Sequence, residues 1–182
     1  MDRVILFIAL SIPVIYFSRR SLFDIKSHGF PRFFAWECIL MLLLANWQFW
    51  FADPLSITQI ISWLLLLISL YMLIAGAFRL LKSGKPSGER EDDILYNFEK
   101  TTDLVTTGIY KYIRHPLYSS LFFLAWGIYF KHPTVLMTLP SVLASVLLYM
   151  TCLRDEKECI AYFGDRYREY MKVSKRFIPF II

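Results

Sequence analysis

The chain has 182 residues, 57% of them hydrophobic, 18% aromatic and 19% charged, with a formal charge of +5 and a mean hydropathy of +0.47. A soluble domain is roughly 45–50% apolar and about 25% charged, so this single-domain length excludes a soluble globular unit, a disordered regulator, a collagen-like chain and a disulfide-stapled module. Cys38, Cys152 and Cys159 are odd in number and lack metal or redox spacing, and a basic excess in so apolar a chain orients membrane helices rather than binding nucleic acid.

A membrane helix needs about 20 apolar residues, fewer where its ends snorkel or the bilayer thins. In chain order, the candidates are 4–17, which contains Pro13; 33–51, which contains Glu37 and ends in Trp47, Phe49, Trp50 and Phe51; 57–81, the clearest; 117–130, short again; and 134–153. Asp53-Pro54 and His132-Pro133 are turn signals that make hairpins of spans two and three and of spans four and five. With this division, 18 of the 20 basic residues fall in 18–32, 82–116 and 154–182 or, for Arg79, at the adjoining end of span three, and only Arg3 and Lys131 fall elsewhere. That is the positive-inside pattern. It predicts an all-α, polytopic bundle of about five spans, N-terminus outside and C-terminus cytoplasmic, in a cell membrane rather than an internal one. Residues 4–17 have the length of a signal-peptide core, but no small-x-small cleavage site follows them. The chain reads as one membrane domain: a three-span part (1–81), a cytoplasmic loop (82–116), and a hairpin with a C-terminal catalytic segment (117–182). Residues 83–101, with the acidic run 89–93, read either as a solvated loop or as a lid.

The chemically informative run joins this loop to span four. It reads Leu104-Val105-Thr106-Thr107-Gly108-Ile109-Tyr110-Lys111-Tyr112-Ile113-Arg114-His115-Pro116-Leu117-Tyr118. Pro116 suits the first turn of a helix, because its missing N–H would be unpaired there. Arg114 and His115 then lie just before a helix N-terminus, where free N–H groups and a partial positive charge attract an anion. Tyr118 shares a helix face with His115, and Gly108 permits a tight turn. The competing reading is an interfacial anchor of Arg, His and Tyr.

A second cluster, Arg154-Asp155-Glu156-Lys157-Glu158, follows span five and places Arg154 and Glu158 at i and i+4. Beyond it, Ile160, Phe163, Tyr167 and Tyr170 form an amphipathic stripe that reads as packing of a cytoplasmic C-terminal helix on the membrane or on the preceding loop. Gly164 is placed to kink or end a helix there. Glu37 reads equally as a functional intramembrane carboxylate and as a group snorkelling to the interface. No Gly-x-Gly-x-x-Gly run, no metal-ligand set among the three scattered histidines, and no nucleophile with a paired base is visible.

Over residues 100–182 the chain resembles the integral-membrane methyltransferases of the isoprenylcysteine carboxyl methyltransferase and phospholipid methyltransferase superfamily. The resemblance rests on Leu104-Val105, Gly108-x-Tyr110, Arg114-His115-Pro116-Leu117-Tyr118, the acidic run, Phe163-Gly164-x-x-Tyr167-x-x-Tyr170 and Arg176-Phe177-Ile178-Pro179. It implies S-adenosylmethionine held by Leu104, Val105, Gly108, Tyr110, Arg114, His115, Pro116, Leu117 and Tyr118 together with an acidic residue, and an arginine that contacts substrate. Counting back from Phe163-Gly164 gives Asp155 or Glu156 as the acidic ligand. The family's Arg-to-Glu spacing gives Arg154 with Glu158 instead. Arg154 and Glu156 are the expected catalytic pair, with Glu156 and Glu158 both candidates for the cofactor. The expected activity is methyl transfer to a lipophilic or membrane-borne acceptor, carboxylate-like or phospholipid-like, at the cytoplasmic interface, with no metal, nucleic acid or obligate protein partner. An NADPH-dependent reductase and a non-catalytic scaffold are the alternatives.

Overall fold

The apolar runs become helices whose limits are set by turn chemistry. The computed structural model describes residues 3–84 and 101–177. Helix α1 (Arg3–Phe23) runs through Pro13, and α2 (Gly29–Asn46) passes into a 3-10 turn at Trp47–Phe49. Helix α3 (Ile57–Ser83) starts at Ser56, whose hydroxyl accepts from the Gln59 N–H. Helix α4 (Pro116–Tyr129) has its proline at the first helical position, as the missing N–H favours. Thr134 caps α5 (Val135–Phe163) in the same way as Ser56 caps α3. Gly164, at φ +62°, breaks the chain between α5 and the nine-residue α6 (Asp165–Val173).

Among the described residues, four helices are long and apolar enough to cross a membrane: Arg3–Phe23, Gly29–Phe49, Ile57–Ser83 and Val135–Phe163. Helix α4 has 14 residues, about 21 Å at 1.5 Å per residue, and by length does not qualify. Its register against α3 shows what the shortness means. Ser62 Oγ donates to the Gly127 carbonyl at 2.7 Å and Ser69 Oγ to the Ser120 carbonyl at 2.7 Å, while Gly76 lies against Pro116. Small and hydroxyl residues at such a seam let two helices approach closely and bond. The α3 seam therefore stops at Gly76, and its last seven residues, about 10 Å of helix, extend past the start of α4. The recess so formed holds the candidate site.

The helices alternate in direction, and the two basic residues that fall outside the positive-inside pattern lie at the same end. There Arg3 donates to Gln48 Oε1 and the Ala45 carbonyl. Lys131 donates to Gln59 Oε1 at 3.0 Å and lies 3.5 Å from the centre of the Trp63 ring. The opposite, basic end carries Arg19, Arg20, Lys82, Arg114 and Arg154. Within the bundle α3 packs on α4, α2 on α5 and α1 on α2. One apolar cluster holds Ile39, Leu42, Ala125, Ile128, Met137 and Ala144; a second, nearer the basic end, holds Ala35, Tyr118, Leu148, Cys152 and Phe177. Glu37 accepts from Ser11 Oγ at 2.6 Å across the α1–α2 seam, so it is partnered inside the bundle rather than snorkelling.

Candidate active site

The run before α4 is held in place by backbone pairing as much as by side chains. Residues 108–111 form a 3-10 turn, Gly108–Lys111, whose glycine adopts φ +65°. An isolated parallel bridge then joins Ile113 to Lys175. The Arg114 N–H donates to the Lys175 carbonyl at 2.8 Å and the His115 N–H to the Arg176 carbonyl at 3.2 Å. The amides anticipated as free anion donors before Pro116 are therefore taken by the segment that follows α6. What reaches the cleft from this turn is side chain.

Glu156 is the centre of the support beneath it. The carboxylate is 3% exposed. It accepts from Arg114 Nε and Nη2 at 3.0 and 2.9 Å, and from Arg176 Nε and Nη2 at 2.9 and 2.9 Å. Arg114 also donates to the Met171 and Ser174 carbonyls. One buried carboxylate thus joins α5, the start of α4 and the segment after α6: Arg176 forks onto both oxygens, the strongest geometry for such pairs, and Arg114 places two donors on Oε1.

Above this support, one cleft is lined by Leu104, Val105, Tyr110, Arg114, His115, Pro116, Leu117 and Tyr118. Eight of the residues expected to hold a cofactor are brought together there. The opposite wall is Asp155, Cys159, Phe163, Tyr167 and Tyr170, and Leu80 and Thr101 complete the lining. The stripe read as packing does pack, since Tyr170 Oη donates to the Tyr110 carbonyl at 2.5 Å. It also faces the cleft with three aromatic rings, and their motif spacing was the available signal for that. Residues 85–100, including the acidic run of the candidate lid, lie outside the described residues, as do Ile178 and Pro179. Gly84 and Thr101 meet where that segment leaves and returns, with the Gly84 carbonyl accepting from the Thr102 and Asp103 amides.

Gly108, Arg154, Glu156 and Glu158 do not line this cleft. Helical geometry explains the last three. Successive residues of α5 turn by about 100°, so Asp155, Cys159 and Phe163 share the cleft face while Arg154 and Glu158 share the next one. Arg154 donates to the Ile25 and Ser27 carbonyls of the α1–α2 turn. Glu158 accepts from the His28 N–H at 2.9 Å and lies 2.5 Å from His28 Nδ1. These two residues clasp the N-terminal hairpin. The fold also brings His28, Asp155 and Glu158 ligand atoms within 4.8 Å of one another, a juxtaposition their sequence spacing could not reveal.

His115 supplies the polar centre of the cleft. Its Nδ1 lies 3.4 Å from Asp155 Oδ2 and its Nε2 3.5 Å from Glu156 Oε1. Nε2 is buried and makes no hydrogen bond. Burial works against the charged ring, but Asp155 and Glu156 outweigh it and raise the pKa above 6.5. Burial likewise opposes protonation of His28, and Glu158 with Asp155 raises it. Both folded-state values exceed the unfolded ones, so this stabilisation is complete below about pH 6.5 and is lost as pH rises through the raised values. We expect the unfolding temperature in detergent to fall across that range, and the His28→Asn/His115→Gln variant to show a flatter profile.

The model of the family described as phospholipid methyltransferase matches residues 57–166, more than half of the chain. The chain belongs to this family. Among curated members, a methanethiol S-methyltransferase of Crocosphaera subtropica is 26% identical over 157 residues, which is 78% of this chain and 58% of that protein. A protein-S-isoprenylcysteine O-methyltransferase of Schizosaccharomyces pombe is 35% identical over 82 residues, 43% of this chain and 34% of that protein. The chain thus spans less than two thirds of either relative's length in these matches. No solved structure matches it. The phospholipid methyltransferase match begins at the first residue of α3 and ends in α6, and so takes in the recess and most of the cleft lining, stopping just short of Tyr167 and Tyr170.

Proposed function

We propose that this chain transfers a methyl group from S-adenosylmethionine to a lipophilic acceptor that carries an acidic group, at the basic, cytoplasmic end of the bundle. The observation that carries the reading is a shared wall. A second, apolar chamber of about 560 Å³ lies between α1, α2, α3 and α4, lined by Phe17, Arg32, Trp36, Leu73, Ala77, Leu81, Leu117, Tyr118, Ser120 and Leu121. Leu117 and Tyr118 line both this chamber and the polar cleft. An acceptor in the chamber and a donor in the cleft would meet at these two side chains.

The cleft suits the cofactor chemically. S-adenosylmethionine supplies an electrophilic methyl on a sulfonium centre. Asp155 offers a carboxylate to hydroxyl or ammonium groups, and His115, across from it, adds a second polar side chain to the lining. Tyr110, Phe163, Tyr167 and Tyr170 give aromatic faces for a base and a cation. The cleft is about 100 Å³, below the roughly 300–1,000 Å³ of ordinary ligand pockets. A ligand of this size would therefore extend beyond it or require its walls to part. Leu117 and Tyr118 exclude water from the meeting point and orient the acceptor, which is the main task in a displacement that needs no covalent enzyme intermediate.

The chamber favours a long apolar acceptor over a small one such as methanethiol, which would need neither its volume nor a guanidinium. Arg32, 3% exposed, sets a positive charge on that wall. We assign it the orienting role that the resemblance gave to Arg154, which reaches the α1–α2 turn and does not line the chamber. Calorimetry tests the donor side. His115→Ala and Asp155→Ala should each weaken S-adenosylmethionine binding by roughly tenfold, about the worth of one hydrogen bond to a charged group, with helicity retained. Unchanged affinity in both variants would contradict the assignment.

A further inference from the structure

On the far side of the Gly108–Lys111 turn, a separate hollow of about 470 Å³ opens between the turn and α3. Arg79 and Lys111 are its charged residues, and no carboxylate lines it among the described residues. Its other walls include Tyr71, Phe78 and Tyr112, all more than half exposed or at that level. An arginine at a span's edge ordinarily extends along the helix to reach the headgroups. Arg79 instead folds over the turn, where a Cβ on Gly108 would sit 2.5 Å from its Nε. The glycine required by φ +65° also makes room for the guanidinium.

Below the hollow, Leu64, Leu67, Tyr71, Ile74 and Phe78 are exposed at helical spacing along α3. This apolar stripe runs from mid-helix up to Arg79, which lies one turn before the α3 end at Ser83. Two cations at interfacial depth, a hollow lined by no carboxylate among the described residues, tyrosines beside it and an apolar track leading into it fit one kind of occupant. We propose that the hollow binds the phosphate headgroup of an anionic phospholipid whose acyl chain lies along α3. A zwitterionic lipid brings its own cation toward Arg79 and Lys111, and a free phosphate leaves the stripe unused.

The site has a consequence for the neighbouring cleft. Tyr110, in the same four-residue turn, points the other way, lines the cleft and is tied through its carbonyl to Tyr170. A headgroup drawn to Arg79 and Lys111 would fix the turn that presents Tyr110. This coupling rests on the reading of the cleft as the cofactor site; lipid retention does not.

The test uses the full chain in nanodiscs of phosphatidylcholine with about one-fifth phosphatidylglycerol, with retained lipid counted by native mass spectrometry. Roughly tenfold enrichment of phosphatidylglycerol is expected, from two cations near the surface, and Arg79→Gln/Lys111→Gln should abolish it. Arg79→Lys/Lys111→Arg, which keeps both charges, should retain the enrichment. Retained lipid at the bulk ratio, or enrichment that survives loss of both charges, overturns the site. In the same discs, phosphatidylglycerol should tighten S-adenosylmethionine binding severalfold in the unmodified chain and not in the charge-free variant. Enrichment with an unmoved cofactor affinity overturns the coupling. Absence of cofactor binding in both lipid mixtures counts against the cofactor reading and leaves the retention result standing on its own.

Discussion

Glu156→Gln should lower the unfolding temperature sharply and remove S-adenosylmethionine binding, although Glu156 does not line the cleft. Its carboxylate is the common acceptor for Arg114 and Arg176 and is 3% exposed. Removing one member of a buried pair leaves an uncompensated charge and costs about 3–5 kcal/mol. Here the stranded cations sit at the start of α4 and in the segment after α6, so the loss falls on the frame that positions His115 and Tyr118. The cost belongs to the unpaired arginines rather than to the glutamate alone. Arg114→Met added to Glu156→Gln should therefore recover part of the thermal stability without restoring binding. Circular dichroism melts in detergent read the first effect and calorimetry the second. A Glu156→Gln chain that melts normally would mean that the double clasp contributes little.

The second large effect separates donor from acceptor. Ala77 lines the chamber and not the cleft, so Ala77→Trp fills acceptor space without touching the cofactor walls. Methyl transfer to a long apolar acceptor should fall by roughly a hundredfold, the scale on which about 1 Å of misplacement acts. The cofactor dissociation constant should change by less than about twofold, within the additivity error for separate sites. Loss of cofactor affinity in this variant would mean that the two cavities are not divided at Leu117 and Tyr118.

Much of this arrangement was legible in the sequence because it is written in local rules. Pro116 at a helix start, Gly164 as a break and the paired hairpins follow from backbone chemistry within a few residues. The basic residues mark the two ends of the bundle, and Arg3 and Lys131 both lie at the far one. Helix α4 was anticipated as a span, yet its length is fixed by where α3 meets it, from Gly127 to Gly76, a tertiary fact. The acidic run shows the limit most clearly. A shift of one position on α5 decides whether a side chain faces the cleft, the arginine clasp or the N-terminal hairpin. Asp155, Glu156 and Glu158 divide among these three, and only the rotation of the helix within the bundle distinguishes them. The occupied amides of Arg114 and His115 were hidden for a similar reason, since their partners lie about 60 residues downstream at Lys175 and Arg176. Arg32 and Trp36 carried no motif, because the chamber wall is assembled from four helices.

The most direct test is label transfer by the purified chain in lipid nanodiscs, from methyl-labelled S-adenosylmethionine to N-acetyl-S-farnesylcysteine, with the corresponding carboxamide as control. The account predicts label in an alkali-labile ester of the acid and none in the amide, since the chamber joins apolar volume to the Arg32 guanidinium. Equal labelling of acid and amide, or a chain that binds the cofactor and labels no lipophilic product, would contradict it.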